Sequence, residues 1–278
     1  MYLVDTPPLG LGHFSVIGVP PLELVQLAAK LGYAAIGLRL HPAFPGAPTY
    51  DVPAGSALSR EMRRRMEGEG ITVYDIEFVV IDAEFSASDL RPVLEAASVL
   101  GARRLNVCGD DADRSRLVAN FAALCDLAAE FGMGVDLECM AWRMVSSLPM
   151  AVEVVEAAAH PNGGVLIDAL HLSRSGTSPD ALRDVAPGLI RSAQLCDARA
   201  EPPVGDEAII LEARSQRLLP GQGALPLREL VAALPGDTVL SVEVPVGAGV
   251  TPEDHARRLF DATQSLLARC RAEAAAAP

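Results

Sequence analysis

Four acidic or amide side chains in apolar segments are the residues of this sequence best suited to do chemistry. Glu138 lies in V-D-L-E-C-M and Glu243 in V-L-S-V-E-V, both of which are predicted strands. A carboxylate in such a setting is costly unless it is paired, hydrogen-bonded or bound to a metal. Asp168 ends the apolar run G-V-L-I-D, and Gln194 lies in A-Q-L-C-D. These side chains form a hard oxygen-donor set, which favours Mn²⁺ or Mg²⁺ over Zn²⁺.

The elements that must position these side chains form a repeating pattern. Eight short apolar runs alternate with helical stretches along the 278-residue chain, and the predicted strands cover 13–19, 34–40, 71–80, 103–108, 134–140, 164–168, 189–197 and 238–244. Repeated strand–helix units imply parallel strands with helical crossovers. Eight units of this length fit an α/β fold with a single closed (β/α)₈ TIM barrel, and an open doubly wound sheet is the alternative. The barrel domain is predicted over residues 1–270, with a flexible tail over 271–278.

Active sites of such barrels lie at the carboxyl ends of the strands. Strands five to eight carry the four oxygen donors near those ends, so the side chains can converge on one point. Each acid taken alone could instead cap a helix or lie in solvent at the rim, and only their combination points to a site. Glu77, in the third strand, faces the same mouth. Residues 198–218 are predicted to form a loop that, together with L-P-G-Q-G at 219–223, covers the mouth as a lid.

Composition excludes several classes of function. The net charge of −13 opposes binding to nucleic acid, which needs a surplus of basic residues. Lys30 is the only lysine, and it lies in an amphipathic helical stretch, which argues against Schiff-base or P-loop chemistry. No apolar run is long enough to span a membrane. Five cysteines without a CxxC motif are typical of reduced thiols, so a cytoplasmic protein is expected.

Several motifs resemble those of the xylose isomerase-like TIM barrels, the group of sugar isomerases, epimerases and related lyases that also contains endonuclease IV. The segments that carry the resemblance are L-E-C-M-A-W (137–142), I-D-A-L-H (167–171), A-Q-L-C-D-A-R (193–199), L-P-G-Q-G-A-L-P-L (219–227) and S-V-E-V (241–244). The family pattern is a metal-binding Glu, then Asp-x-x-His, then His or Gln, then Glu. This implies metal ligands at Glu138, Asp168, Gln194 and Glu243.

The resemblance also implies a reaction. The metal would hold a carbonyl and a neighbouring hydroxyl of the substrate and act as a Lewis acid while a proton is removed beside the carbonyl. Glu138 and Glu243 would take and return the proton on opposite faces, and which of them is the base stays open. His171 is expected to be a catalytic substrate contact or proton relay. The expected substrate-binding residues are Arg199, Trp142, Arg143 and Glu77.

The expected activity is that of a metal-dependent isomerase or epimerase of carbohydrate metabolism, acting on a small polyhydroxylated carbonyl compound. Met144 stands where ketose 3-epimerases of the group carry a further Glu, which argues against a free ketohexose as the substrate. A lyase of the 3-dehydroshikimate or inosose dehydratase type is therefore the first alternative. A non-catalytic barrel that binds a sugar-like ligand is the second. The expected partner is the small-molecule substrate, with a homo-oligomer also possible.

Overall fold

Eight parallel strands close into a barrel in the computed structural model, which describes residues 8–276. Each strand pairs with the next along the chain, and the first pairs with the last. The strands are β1 (Leu9–Leu11), β2 (Ala35–Leu38), β3 (Thr72–Ile81), β4 (Arg104–Gly109), β5 (Gly134–Glu138), β6 (Gly163–Asp168), β7 (Ile190–Leu195) and β8 (Val239–Val242). The predicted TIM barrel is confirmed, and the open-sheet alternative is excluded.

Helices on the outside connect the strands. Over residues 8–276 the α-helices are α1 (Pro21–Leu31), α2 (Ala57–Glu69), α3 (Arg91–Val99), α4 (Arg114–Glu130), α5 (Leu148–Ala158), α6 (Ala169–Arg174), α7 (Asp206–Leu211), α8 (Leu227–Ala233) and α9 (Pro252–Ala276). Local signals set several of the bounds: Ser56 caps the start of α2, where its hydroxyl accepts the Ser59 N–H, and Gly32, with a φ of 89°, caps the end of α1. The apolar faces of the helices pack on the barrel, with Phe121, Leu24 and Leu105 fully buried.

The first predicted strand, at 13–19, is wrong. The strand is β1, and residues His13–Val16 form a 3₁₀ turn that follows it. The chain leaves the sheet there because the carboxylate of Glu77 accepts the backbone N–H groups of His13 and Phe14, at 2.7 and 3.0 Å. Those donors are therefore not available to a strand ladder.

Residues 198–218, predicted as an irregular lid loop, contain regular structure. Helix α7 lies in this segment and continues into a π-helical turn, Glu212–Gln216. The following 219–223 loop is held by Asp197, whose carboxylate accepts the backbone N–H groups of Ala198, Gly221, Gly223 and Leu225. A buried side chain two residues after β7 thus fixes the path of the chain over the mouth.

At the carboxyl-terminal end, α9 runs to Ala276, so residues 271–276 of the predicted flexible tail are helical, and 277–278 lie outside the described residues. Between residues 8 and 276, no helix is both long enough and apolar enough to cross a membrane.

A buried histidine next to the mouth makes stability depend on pH. His13 Nδ1 accepts the Arg39 backbone N–H at 3.1 Å, and Nε2 lies 2.9 Å from the Val19 carbonyl oxygen, so the ring is neutral with its proton on Nε2. Burial lowers the pKa of His13. The unfolded chain therefore binds more protons below about pH 6.5, and stability falls as the pH falls through that value.

We expect His13 to contribute up to about 1.4 kcal/mol of this loss per pH unit below about pH 6.5. Urea unfolding between about pH 7.5 and about pH 5.5 measures the loss, and His13→Gln should have a shallower pH slope than the wild type. Equal slopes for the two proteins would contradict the assignment.

Candidate active site

The side chains at the ends of β5 to β8 converge at the barrel mouth. One ligand atom each from Glu138, Asp168 and His171 lies within 4.8 Å of the others. Gln194 Nε2 lies 3.4 Å from Glu243 Oε1 and donates to it. All five residues are buried, at 8% exposure or less. The four predicted oxygen donors and His171 therefore form one cluster.

Asp168 has a structural task as well as its place in the cluster. As the N-cap of α6, its Oδ1 accepts the backbone N–H of His171 at 2.9 Å. This bond fixes His171 one helical turn beyond the end of β6. The His171 ring lies 3.8 Å from Glu138, from Nε2 to Oε1, and makes an edge-to-face contact with Trp142.

Arg217 balances part of the negative charge of the cluster. Its Nη1 donates to Asp168 Oδ2 at 2.6 Å, and its Nη2 lies 3.2 Å from Glu243 Oε2. Its Nε donates to the carbonyl oxygen of Ala213, in the π-helical turn. The segment over the mouth thus supplies a buried cation to the site.

Burial and neighbouring charge shift the titration of the cluster. Burial, followed by the charges of Asp168 and Glu243, raises the pKa of Glu138 well above its usual range. Burial also raises the pKa of Glu243 to about 7, although the charge of Arg217 opposes the rise. Burial acts in the same direction on Asp168, but Arg217 and His171 outweigh it and hold the pKa of Asp168 below its usual value.

His171 is neutral in this environment. Burial lowers its pKa to about 4, although the neighbouring Asp168 charge opposes the change. A neutral imidazole can accept or donate a hydrogen bond at the cavity.

The donor set fits a divalent cation. Oε1 of Glu138 and Oε1 of Gln194 are buried, and neither has a hydrogen-bond partner within residues 8–276. Arg217 contacts one oxygen of Asp168 and one of Glu243, and each carboxylate oxygen has a further lone pair. The residues that would hold the ion are therefore the four oxygen donors, with His171 as a nitrogen donor at the edge.

A cleft that is partly open to solvent extends from this cluster. Its walls come from all sides of the barrel mouth, and the polar residues that line it are Arg39, Glu77, Asn106, Glu138, Arg143, His171, Gln194, Arg214, Arg217 and Glu243. Phe14, Phe44, Phe78 and Trp142 supply its aromatic surface. Small-ligand sites combine apolar walls with a few convergent polar groups in this way.

The model of the xylose isomerase-like TIM barrel family matches residues 25–266. The chain belongs to this family. Members of the xylose isomerase-like family are enzymes, and they include isomerases or epimerases and dehydratases.

One curated relative and two solved structures illustrate that range. A 3-dehydroshikimate dehydratase from Pseudomonas putida is 29% identical over 123 residues, which are 44% of this chain and 19% of the relative. The IOLI protein with a bound zinc atom has a TM-score of 0.76 at 19% identity, with 94% of this chain and 98% of that one covered. D-psicose 3-epimerase has a TM-score of 0.69 at 17% identity, with 95% and 98% covered. At these identities the structures show the fold alone.

Of the four predicted substrate-binding residues of this xylose isomerase-like barrel, three line the cleft and one does not. Trp142 and Arg143 line the cleft, and Arg143 is held by an ion pair with Asp110. Glu77 lines it too, but its oxygens already accept three hydrogen bonds, so it orients its neighbours. Arg199 is exposed and is not among the lining residues, and its carbonyl oxygen accepts from Arg174.

Sequence reasoning missed four polar residues of the cleft, Arg39, Asn106, Arg214 and Arg217. Arg217 directly precedes L-L-P-G-Q-G, a segment already noted for its resemblance, and that position was the available signal. Arg39 follows β2, and Asn106 lies within β4. The rule applied to the ends of β5–β8 would have found Arg39 but not Asn106, which pairs with Asp136 in the middle of the neighbouring strand.

Proposed function

We propose that this chain is a metal-dependent isomerase or epimerase that removes a proton beside the carbonyl of a small polyhydroxylated substrate. The proposal rests on two buried carboxylates, Glu138 and Glu243, which line the same cleft. Glu138 comes from β5 and Glu243 from the end of β8, and Gln194 comes from β7, which lies between these strands in the barrel order. A group with a pKa near the working pH is best suited to both accept and return a proton. Burial raises the pKa of Glu243 to about 7, and it raises the pKa of Glu138 in the same direction.

The chain's own residues divide the work. One glutamate accepts the proton from the carbon beside the carbonyl, and the other returns a proton to the opposite face of that carbon. Neutral His171 hydrogen-bonds a substrate hydroxyl or carries a proton between that hydroxyl and Glu138, its neighbour at 3.8 Å. Arg217 keeps Asp168 ionised and in place.

The metal proposed here is Mn²⁺ or Mg²⁺, held by Glu138, Asp168, Gln194 and Glu243. When bound, such an ion supplies a Lewis acid that polarises a carbonyl oxygen. The oxygen-rich donor set supports this choice, while His171 and the zinc of the IOLI relative keep Zn²⁺ as an outcome to be measured.

Loss of water is the second candidate outcome, and the sequence match to a 3-dehydroshikimate dehydratase favours it. The first step would be the same proton abstraction. The two outcomes separate afterwards, because a dehydratase must protonate a departing hydroxyl instead of the carbon. His171 is the nearest side chain for that task. Met144, half exposed where a further acid would serve a ketohexose epimerase, is consistent with this candidate.

Product analysis distinguishes the candidates. The purified protein with Mn²⁺ is incubated with ketoses, ketose phosphates, inososes and 3-dehydroshikimate, and products are identified by chromatography and mass. A product of unchanged mass, an epimer or a ketose–aldose isomer, is expected. A product lighter by one water molecule, with no isomer formed from any sugar, would show that the protein is a lyase and not an isomerase. Metal binding without turnover of any compound would favour a ligand-binding barrel.

A further inference from the structure

The cleft has two halves of different chemistry. The four oxygen donors come from β5–β8, whereas Arg39, Glu77 and Asn106 come from β2, β3 and β4. In a closed eight-stranded barrel β2 lies diametrically opposite β6, so Arg39 faces Asp168 from across the mouth, whereas β8, which Glu243 directly follows, is two strands from β2. A substrate whose reacting carbon lies beside the glutamates would extend its other end toward Arg39.

Arg39 is one of two buried arginines among residues 8–276, the other being Arg217. It is buried, at 3% exposure, yet its only side-chain hydrogen bond within residues 8–276 is from Nη2 to Glu77 Oε2 at 3.2 Å. Its Nε is buried and has no partner among those residues. Leaving a buried charged donor unpaired is costly. The protein groups of the described residues therefore do not satisfy all the hydrogen-bond donors of the Arg39 guanidinium.

Three other arginines of this chain each form a two-bond ion pair with a single carboxylate. Arg104, Arg116 and Arg174 each donate through both Nε and Nη2 to the two oxygens of one carboxylate, which belongs to Asp136, Asp111 and Glu212 in turn. This fork geometry is the strong form of arginine pairing, and it fits carboxylate and phosphate groups. Arg39 lacks such a partner.

The surroundings hold Arg39 in position for a ligand. Phe14 and Phe78 cover the guanidinium at 5.0 and 5.4 Å from their ring centroids. The backbone on either side is fixed, since the N–H donates to His13 Nδ1 and the carbonyl oxygen accepts from Tyr50. A guanidinium held in this way loses little conformational freedom when it binds a ligand.

The cleft contains side chains of both charges. Arg39, Arg143, Arg214 and Arg217 line it together with three glutamates, in a chain whose net charge is −13. Asn106 adds a buried Oδ1 without a hydrogen-bond partner in the described part of the chain, while its Nδ2 donates to Asp75 at 2.7 Å. That oxygen can accept a hydrogen bond from a hydroxyl group of the substrate.

We propose that the Arg39 guanidinium binds an oxyanion, a carboxylate or a phosphate monoester, at the end of the substrate remote from the reacting carbon. The inference deepens the proposed function, because it assigns the substrate class of the same cleft. It makes the substrate an acid or a phosphate ester of a polyhydroxylated compound, and it disfavours a free neutral sugar.

The test measures binding without turnover. Trp142, the only tryptophan of the chain, lines the cleft, so its fluorescence reports occupancy. The probes are two matched pairs that contain no ketone or aldehyde: shikimate with its methyl ester, and sorbitol 6-phosphate with sorbitol. At least one anion should bind about tenfold or more tightly than its neutral partner, as expected for a charge-assisted hydrogen bond. The pair with the larger preference identifies carboxylate or phosphate.

Arg39→Gln should remove most of this preference and leave the affinity for the neutral probe within about twofold. Arg228→Gln, in an exposed pair with Glu273, is the matched control and should keep the preference. Thermal melting checks folding. If Arg39→Gln does not fold, Arg39→Lys keeps a cation near Glu77 but lacks the planar fork, and it should lose about threefold or more of the preference.

Equal binding of both members in each pair, no saturable binding of either anion, or an unchanged preference in the folded Arg39 variant would overturn the proposal. Proton abstraction is read separately, by hydrogen exchange with solvent. Anion preference without exchange would leave Arg39 assigned and refute the proposed function. Exchange without anion preference would support the proposed function and refute the assignment of Arg39.

Discussion

Glu138→Gln and Glu243→Gln are each expected to lower turnover by about 10²-fold or more, with the protein still folded. Glutamine keeps the volume and one oxygen of the glutamate but cannot take up a proton. At Glu138 the amide should also relieve the burial of a carboxylate whose pKa burial already raises, so the stability of that variant should be unchanged or higher.

Steady-state rates on the substrate found by the product screen test this expectation. Glu156→Gln, on the exposed face of α5, is the matched control and should keep the wild-type rate. A rate close to that of the wild type in either site variant would remove that glutamate from the mechanism.

Removal of the metal is expected to have an effect at least as large. A Lewis acid stabilises charge at a carbonyl oxygen by several kcal/mol, so EDTA should lower turnover by about 10³-fold or more, and Mn²⁺ or Mg²⁺ should restore it. Because the ion binds the folded cluster, Mn²⁺ at about 100 times its dissociation constant should stabilise the protein by about 2.7 kcal/mol and raise the melting temperature.

Gln194→Leu tests the neutral ligand without changing the charge of the site. It removes the buried Oε1 that has no partner among the described residues, and it should weaken Mn²⁺ binding in calorimetry. Gln222→Leu, in the exposed loop over the mouth, is the control and should bind Mn²⁺ as the wild type does. Melting that is insensitive to both EDTA and Mn²⁺ would contradict the ligand set.

Strands two to eight could be predicted from the sequence because their apolar runs are bounded by clear helix and turn signals. The first strand could not. H-F-S-V-I-G-V has the composition of a strand, but the bonds that bend it come from Glu77, more than sixty residues away. Such a contact leaves no trace in local periodicity, and tertiary structure overrides propensity in cases of this kind.

The candidate site likewise contains residues that could be predicted from the sequence and residues that could not. Glu138, Asp168, Gln194 and Glu243 follow from one rule, polar residues at the carboxyl ends of barrel strands. Arg217 does not follow from that rule, because it reaches Asp168 from a segment whose path depends on Asp197 and a π-helical turn. Proximity in sequence favoured Arg199 over Arg217, whereas the fold brings the more distant arginine into the cleft.

Hydrogen exchange with solvent tests the central claim most directly, because proton removal beside a carbonyl precedes either outcome. Candidate substrates are incubated with the protein and Mn²⁺ in D₂O and followed by NMR. We predict that at least one polyhydroxylated carbonyl compound gains deuterium at the carbon beside its carbonyl, and that EDTA, Glu138→Gln and Glu243→Gln each suppress the gain. If a compound is converted with no deuterium at that carbon, or gains deuterium equally in both variants, proton abstraction by these glutamates is contradicted.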